Sequence, residues 1–146
     1  MSDVHVLCKI ADTEYLLPAD HVLQMESFSG ATRVPGTSGA VAGLVQIRGR
    51  VVPVLDLRLV FGFPSIPPTL GSRVVVMQHE QRTVGLLVDS AREVITIPAD
   101  EFRQPPTVVS DQTEGFVKAV AQAGSRLVML IDCSKVIGEE QIHGHD

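Results

Sequence analysis

The chain has no tryptophan, a single tyrosine and only two cysteines in 146 residues. So few aromatics argue against a surface that stacks nucleic-acid bases. A net charge of -5 and a pI near 5.5 disfavour a polyanion as the main partner, so nucleic acid is not expected. Cys8 and Cys133 lie far apart and make no CxxC or metal-ligand spacing. That points to a reduced, cytoplasmic setting with both thiols as small core residues. No apolar run approaches the roughly 20 residues of a membrane-spanning helix, so direct membrane insertion is not expected. The opening MSDVHVLCKI lacks a basic n-region and a long apolar h-region, so no secretory signal is expected.

Catalytic signatures are missing as well. The chain holds no GxGxxG, no P-loop, no HExxH and no EF-hand loop. The GTSG of residues 36–39 lacks nucleophile-elbow spacing. Asp56 and Asp132 each end a strand-like run and open a short helical pattern, so helix capping explains them better than acid–base chemistry. His143 and His145 sit in a polar tail, and a loose HGHD is a poor metal site. No enzyme activity, cofactor or metal is expected, and function must rest on surfaces.

What is present is β-forming sequence. Valine occurs 22 times, and β-branched side chains suit a pleated, half-buried surface. Short apolar runs cover residues 4–10, 15–17, 22–28, 41–47, 51–57, 73–78, 83–88, 93–97 and 126–131. Bounded by Gly, Pro, Asp and Ser, they predict an all-β barrel or sandwich in one domain. Two short helices are predicted, over residues 57–61 and 133–137, stopped by Gly62 and Gly138. Asp20 and Asp100 lie in PAD turns, FPSIPP (residues 63–68) is a stiff break near the middle, and residues 139–146 read as a flexible polar tail.

The two halves resemble each other. RVVPVLDLRLVFG (residues 50–62) lies over RLVMLIDCSKVIG (residues 126–138) at an offset of 76. YLLPADHVLQM (residues 15–25) lies over VGLLVDSAREV (residues 84–94) at an offset of 69, matching Leu17 to Leu86 and Asp20 to Asp89. Chance similarity of short strands and an ancient duplication both account for this. Duplication predicts two small barrels side by side, from repeat-like halves at about residues 14–62 and 83–138 within a domain of residues 1–138.

Four ordered blocks make a family resemblance specific. They are TRVP (residues 32–35), VAGLVQIRGRVVPVLDLR (residues 41–58), VGLLVDSAREV and RLVMLIDCSKVIG. Together they resemble the CheW-like family across almost the whole chain. The second block is similar to the family pattern GxxNLRGxVVPVxDLR through Gly43, Arg48, Gly49, Pro53, Asp56 and Arg58. It departs at Gln46 and Ile47, where the family usually has Asn-Leu.

The resemblance implies two five-stranded SH3-like β-barrels packed together, with a few short helices. It also implies a non-enzymatic adaptor that couples the cytoplasmic tips of methyl-accepting chemoreceptors to a CheA-type histidine kinase. Other CheW-like domains are implied as further partners, as is cytoplasmic location with recruitment to membrane-bound receptor arrays. A CheW-like scaffold in pilus motility or second-messenger control is the alternative. Carried over residue by residue, the resemblance marks Val22, Gln24, Glu26, Gly43 and Arg48 as partner-binding positions. Alternation places Gln24 and Glu26 on one face with Val22, and Glu26 is the expected carboxylate partner of Arg48. Gly43 has two readings: room for an incoming helix, or a bulge glycine. Arg33 and Arg58 are expected to tie loops to carboxylates or carbonyls, and Arg50 to be a structural counterpart of Arg126.

Overall fold

Each half of the chain runs through five strands into a helix, with α2 inserted in the second, and the two halves exchange pieces. The computed structural model describes residues 3–37 and 39–143. The first half runs β1 (Val4–Ile10), β2 (Thr13–Pro18), β3 (Val22–Ser27), β4 (Val41–Ile47), β5 (Arg50–Asp56) and α1 (Leu57–Val60). The second runs β6 (Arg73–His79), β7 (Arg82–Val88), β8 (Ser90–Thr96), α2 (Thr107–Gln112), β9 (Val117–Ala123), β10 (Arg126–Ile131) and α3 (Cys133–His143). Both PAD segments form short 3-10 turns, Ala19–His21 and Ala99–Glu101.

The strands make two five-stranded sheets, β8-β1-β2-β10-β9 and β3-β6-β7-β5-β4. These have the SH3-like character expected. Replacing each strand of the second sheet by its counterpart five places along the chain gives the order of the first. The parallel pair β5–β7 therefore matches β10–β2. A bulge recurs too, where Val41 and Gly43 face Leu55 and Val54, and where residues 117 and 119 face Ile131 and Leu130.

The pairing runs across the halves, so neither sheet is built from one half alone. The first sheet takes β1 and β2 from the first half and β8, β9 and β10 from the second; the other sheet does the reverse. Sequence offsets reveal repetition, but only long-range pairing decides which copy supplies which strand.

Among the described residues, three apolar clusters hold the fold. The largest lies between the sheets, with Val6, Cys8, Leu17, Leu55, Met77, Leu86, Ile131 and Ile137 among its buried residues. Leu17 and Leu86, matched by the repeat, are both fully buried there. Truncating such a leucine to alanine costs about 2–5 kcal/mol. A second cluster fills the first sheet's own concavity with Leu7, Leu16, Ile97, Ala121, Val128 and Leu130. The third, in the other sheet, has only Val54, Val74 and Val76 buried, with Phe28, Val45 and Ile47 half-buried around them.

The two strand–helix units agree with the sequence in their caps and differ at their ends. The Asp56 carboxylate accepts the Arg58 N–H at 3.0 Å, and that of Asp132 accepts the Lys135 N–H at 3.2 Å, so both aspartates cap helices. Gly62, at φ +87°, stops α1; its N–H reaches the Leu59 carbonyl and the Phe63 N–H reaches that of Arg58. Gly138 does not stop α3, which continues to His143. It lacks the left-handed backbone that Gly62 adopts. Of the polar tail, residues 139–143 continue α3, while residues 144–146 lie outside the described residues.

Candidate partner-binding site

The poorly filled concavity of the second sheet opens as a groove of about 530 Å³. It runs between the sheet's two edge strands, β3 and β4, past Glu26, Phe28, Val45 and Ile47, with Val74 beneath. Residues 27–32 leave β3 and return to bridge the β4 edge, where Thr32 and Leu44 exchange backbone hydrogen bonds at 2.9 and 2.8 Å. Its lining mixes apolar Phe28, Val45, Ile47 and Val74 with polar Glu26 and Gln46.

Gln24 and Glu26 share this face, since their cross-strand partners are Val76 and Val74 of the small cluster. Val22 does not. A bulge between Val22 and Gln24 breaks the alternation, so Val22 pairs with Met77 and packs on the large inter-sheet cluster. The expected ion pair between Glu26 and Arg48 is also absent among the described residues. The Glu26 carboxylate instead accepts from the Gln24 amide at 2.8 Å, two residues along its own strand.

Arg48 follows Ile47 at the β4–β5 turn, exposed, at φ +52°, and it forms no ion pair among the described residues. Positive φ at the first position of a two-residue hairpin turn suits Asn, Asp or Gly; an arginine there is strained. Gly49 completes the turn at φ +79°.

Gly43 is a buried bulge glycine at φ +141°, and a Cβ there would collide with the Thr32 carbonyl group. Backbone crowding is by itself enough to require glycine here. The bulge alone does not require it, because Ala119 holds the equivalent place in the other sheet.

Asp56 and Asp132 are occupied by their caps, and Asp56 also accepts the Ser65 hydroxyl at 2.9 Å. Burial pushes both thiols up, that of Cys133 to about 12, so neither cysteine carries thiolate near neutrality. Among the described residues no cluster of three or more His, Cys, Asp or Glu could hold a metal ion. Likewise, no described helix is long and apolar enough to cross a membrane.

Comparison with known proteins identifies the class. The CheW-like domain model matches residues 5–141, and the chain belongs to that family, whose members are scaffold proteins. It is 31% identical over 127 residues to the chemotaxis protein CheW of Bacillus subtilis, covering 87% of this chain and 81% of that protein. Protein PilI of Pseudomonas aeruginosa is 29% identical over 89 residues, covering 61% of this chain and 50% of PilI. The crystal structure of the scaffolding protein TtCheW from Thermoanaerobacter tengcongensis superposes with a TM-score of 0.81 at 26% identity, covering 90% of each chain.

Proposed function

We propose that this protein is a non-enzymatic adaptor, coupling the cytoplasmic tips of methyl-accepting chemoreceptors to a CheA-type histidine kinase. It works in the cytoplasm and is recruited to receptor arrays through these contacts. The observation that carries this reading is the groove between β3 and β4, with Phe28, Val45, Ile47 and Val74 in its lining and the strained Arg48 following Ile47 in the chain. An amphipathic helix from a receptor tip would lay its apolar face over Phe28, Val45, Ile47 and Val74. Arg48 would orient it from the turn, while Gln24 and Glu26 border the opposite strand. Gly43 supports the β4 edge from within, and Val22 acts through the inter-sheet core. Kinase and other CheW-like domains would associate barrel to barrel. Individually weak contacts of this kind gain strength from multivalency within an array.

Likeness to PilI supports a second reading, a CheW-like scaffold of pilus motility or second-messenger control. Affinity capture of the intact protein from its own cells tests both. Recovery of a chemoreceptor with a CheA-type kinase supports the adaptor reading, and the output proteins recovered with them decide the pathway. Recovery of neither overturns it.

A further inference from the structure

The internal repeat supplies a control for the charge beside the β4–β5 turn. Arg126, first residue of β10, reaches Glu14 on β2 at 3.2 Å and Glu93 on β8 at 3.5 Å. Arg50, first residue of β5, is its counterpart at an offset of 76. The counterparts of Glu14 and Glu93, at an offset of 69, are Thr83 and Gln24, both uncharged. Arg50 accordingly donates only to the Thr83 hydroxyl, at 3.1 Å, and forms no ion pair among the described residues.

Its position makes this relevant to the groove. Arg50 is the direct cross-strand partner of Ile47, so the two share a face, and Ile47 lines the groove. Glu26, an acid on that face, accepts its hydrogen bond from Gln24. Two arginines, Arg48 and Arg50, thus flank Gly49 at the β4–β5 turn, beside the groove-lining Ile47, in a chain of net charge -5.

We propose that Arg50 is a specificity residue that reads a carboxylate on the incoming protein segment. The partner would supply the negative charge that Glu14 and Glu93 supply to Arg126 within the chain. This rests on the adaptor reading and adds to it the chemistry required of the partner: an acidic side chain beside the apolar stripe that enters the groove. A protein carboxylate is favoured over a phosphate surface, because the chain's net negative charge repels a polyanion.

The test uses a purified cytoplasmic hairpin fragment of a chemoreceptor from the same cell, and a second fragment with its tip Asp and Glu changed to Asn and Gln. Binding of the full-length protein and of its Arg50→Gln, Arg126→Gln and Arg48→Asn variants is measured at low and high salt, with melting curves to verify folding. Arg50→Gln is expected to weaken binding of the native fragment about three- to fivefold, the scale of an exposed ion pair. The loss should shrink at high salt and vanish with the neutralised fragment, while Arg126→Gln leaves affinity unchanged. Normal binding by Arg50→Gln with impaired binding by Arg48→Asn would overturn the inference and leave the adaptor reading standing. Normal binding by both would overturn both. An equal loss with either fragment means packing, not charge recognition, and also defeats the inference. So does Arg50-dependent sedimentation with phosphatidylglycerol vesicles, which would assign the arginine to a lipid headgroup.

Discussion

Arg58 grips Asp89 side-on: its Nε donates to Oδ1 at 2.9 Å and its Nη2 to Oδ2 at 2.8 Å. Oδ2 also accepts the Ala11 N–H at 2.8 Å, so one carboxylate joins α1, the β1–β2 turn and the β7–β8 junction. The two sheets are pinned together there. Arg58→Ala is expected to lower stability by roughly 1–2 kcal/mol, between an exposed ion pair and a buried charged hydrogen bond. Calorimetry should record a melting temperature about 2–8 °C lower. Burial opposes the Asp89 charge, but the bonds from Arg58 and Ala11 outweigh it and hold the carboxyl below its ordinary value of 3.8. The stability it contributes is complete above that value and is lost as pH falls through the lower folded value. Arg58→Ala should therefore flatten the acid limb of the stability curve.

Gly43 offers a sharper structural test. With φ +141° and the Thr32 carbonyl in the way, Gly43→Ala should cost about 1–3 kcal/mol, and Gly43→Val more. Both effects should appear in chemical denaturation without any partner present. A variant that melts like the parent would mean that the bulge relaxes freely and that the glycine serves another purpose.

Arg48 is expected to separate stability from binding. Arg48→Asn places a residue tolerant of left-handed backbone at φ +52° and removes no ion pair, so stability should rise by about 0.5–1 kcal/mol. Receptor-fragment affinity should fall in the same variant. In a double-mutant cycle with Glu26→Gln the two effects should add within about 0.5 kcal/mol, because the Glu26 carboxylate bonds Gln24.

His5 predicts a second pH effect, at milder acidity. Its ring is buried against Phe102, with centroids 5.4 Å apart, and its Nδ1 has no hydrogen-bond partner among the described residues. Burial lowers its pKa below 6.5, and neighbouring Asp3 opposes the shift in part. The folded state thus binds the proton less readily than the unfolded one. Stability is complete above 6.5 and declines as pH falls through the depressed folded value. His5→Leu should remove this slope, as thermal melts between pH 7 and pH 5 would reveal.

Strands rich in β-branched residues were legible because alternation and flanking turns reinforced each other. The strand β9 was not: five of the seven residues of VKAVAQA are alanine or polar, and it is held by pairing with β10 and by the Arg103–Val120 bridge. Nor was α2, whose TVVSDQ favours strand. Its C-terminal turn is closed by Glu114 at φ +53° and Gly115 at φ +79°. In the candidate site, alternation correctly joined Gln24 to Glu26, but a bulge carried Val22 to the opposite core. The Glu26–Arg48 pairing failed for a local reason, since an amide two residues away reached the carboxylate first. Arg58 was legible as a loop-tying arginine, bonding Asp89 and, at 3.4 Å, the Pro64 carbonyl.

The exchange of hairpins between the halves governs how the chain can be divided. A cut in the exposed strap at residues 63–70 leaves the first fragment with β1 and β2 but none of the β8 and β10 strands that flank them. The second fragment keeps β6 and β7 but loses β3 and β5. Neither piece holds a complete barrel, yet the two together contain every strand of both. Scission there should yield halves that are unfolded apart and reconstitute on mixing, making the protein a natural split reporter whose signal requires both pieces in one place.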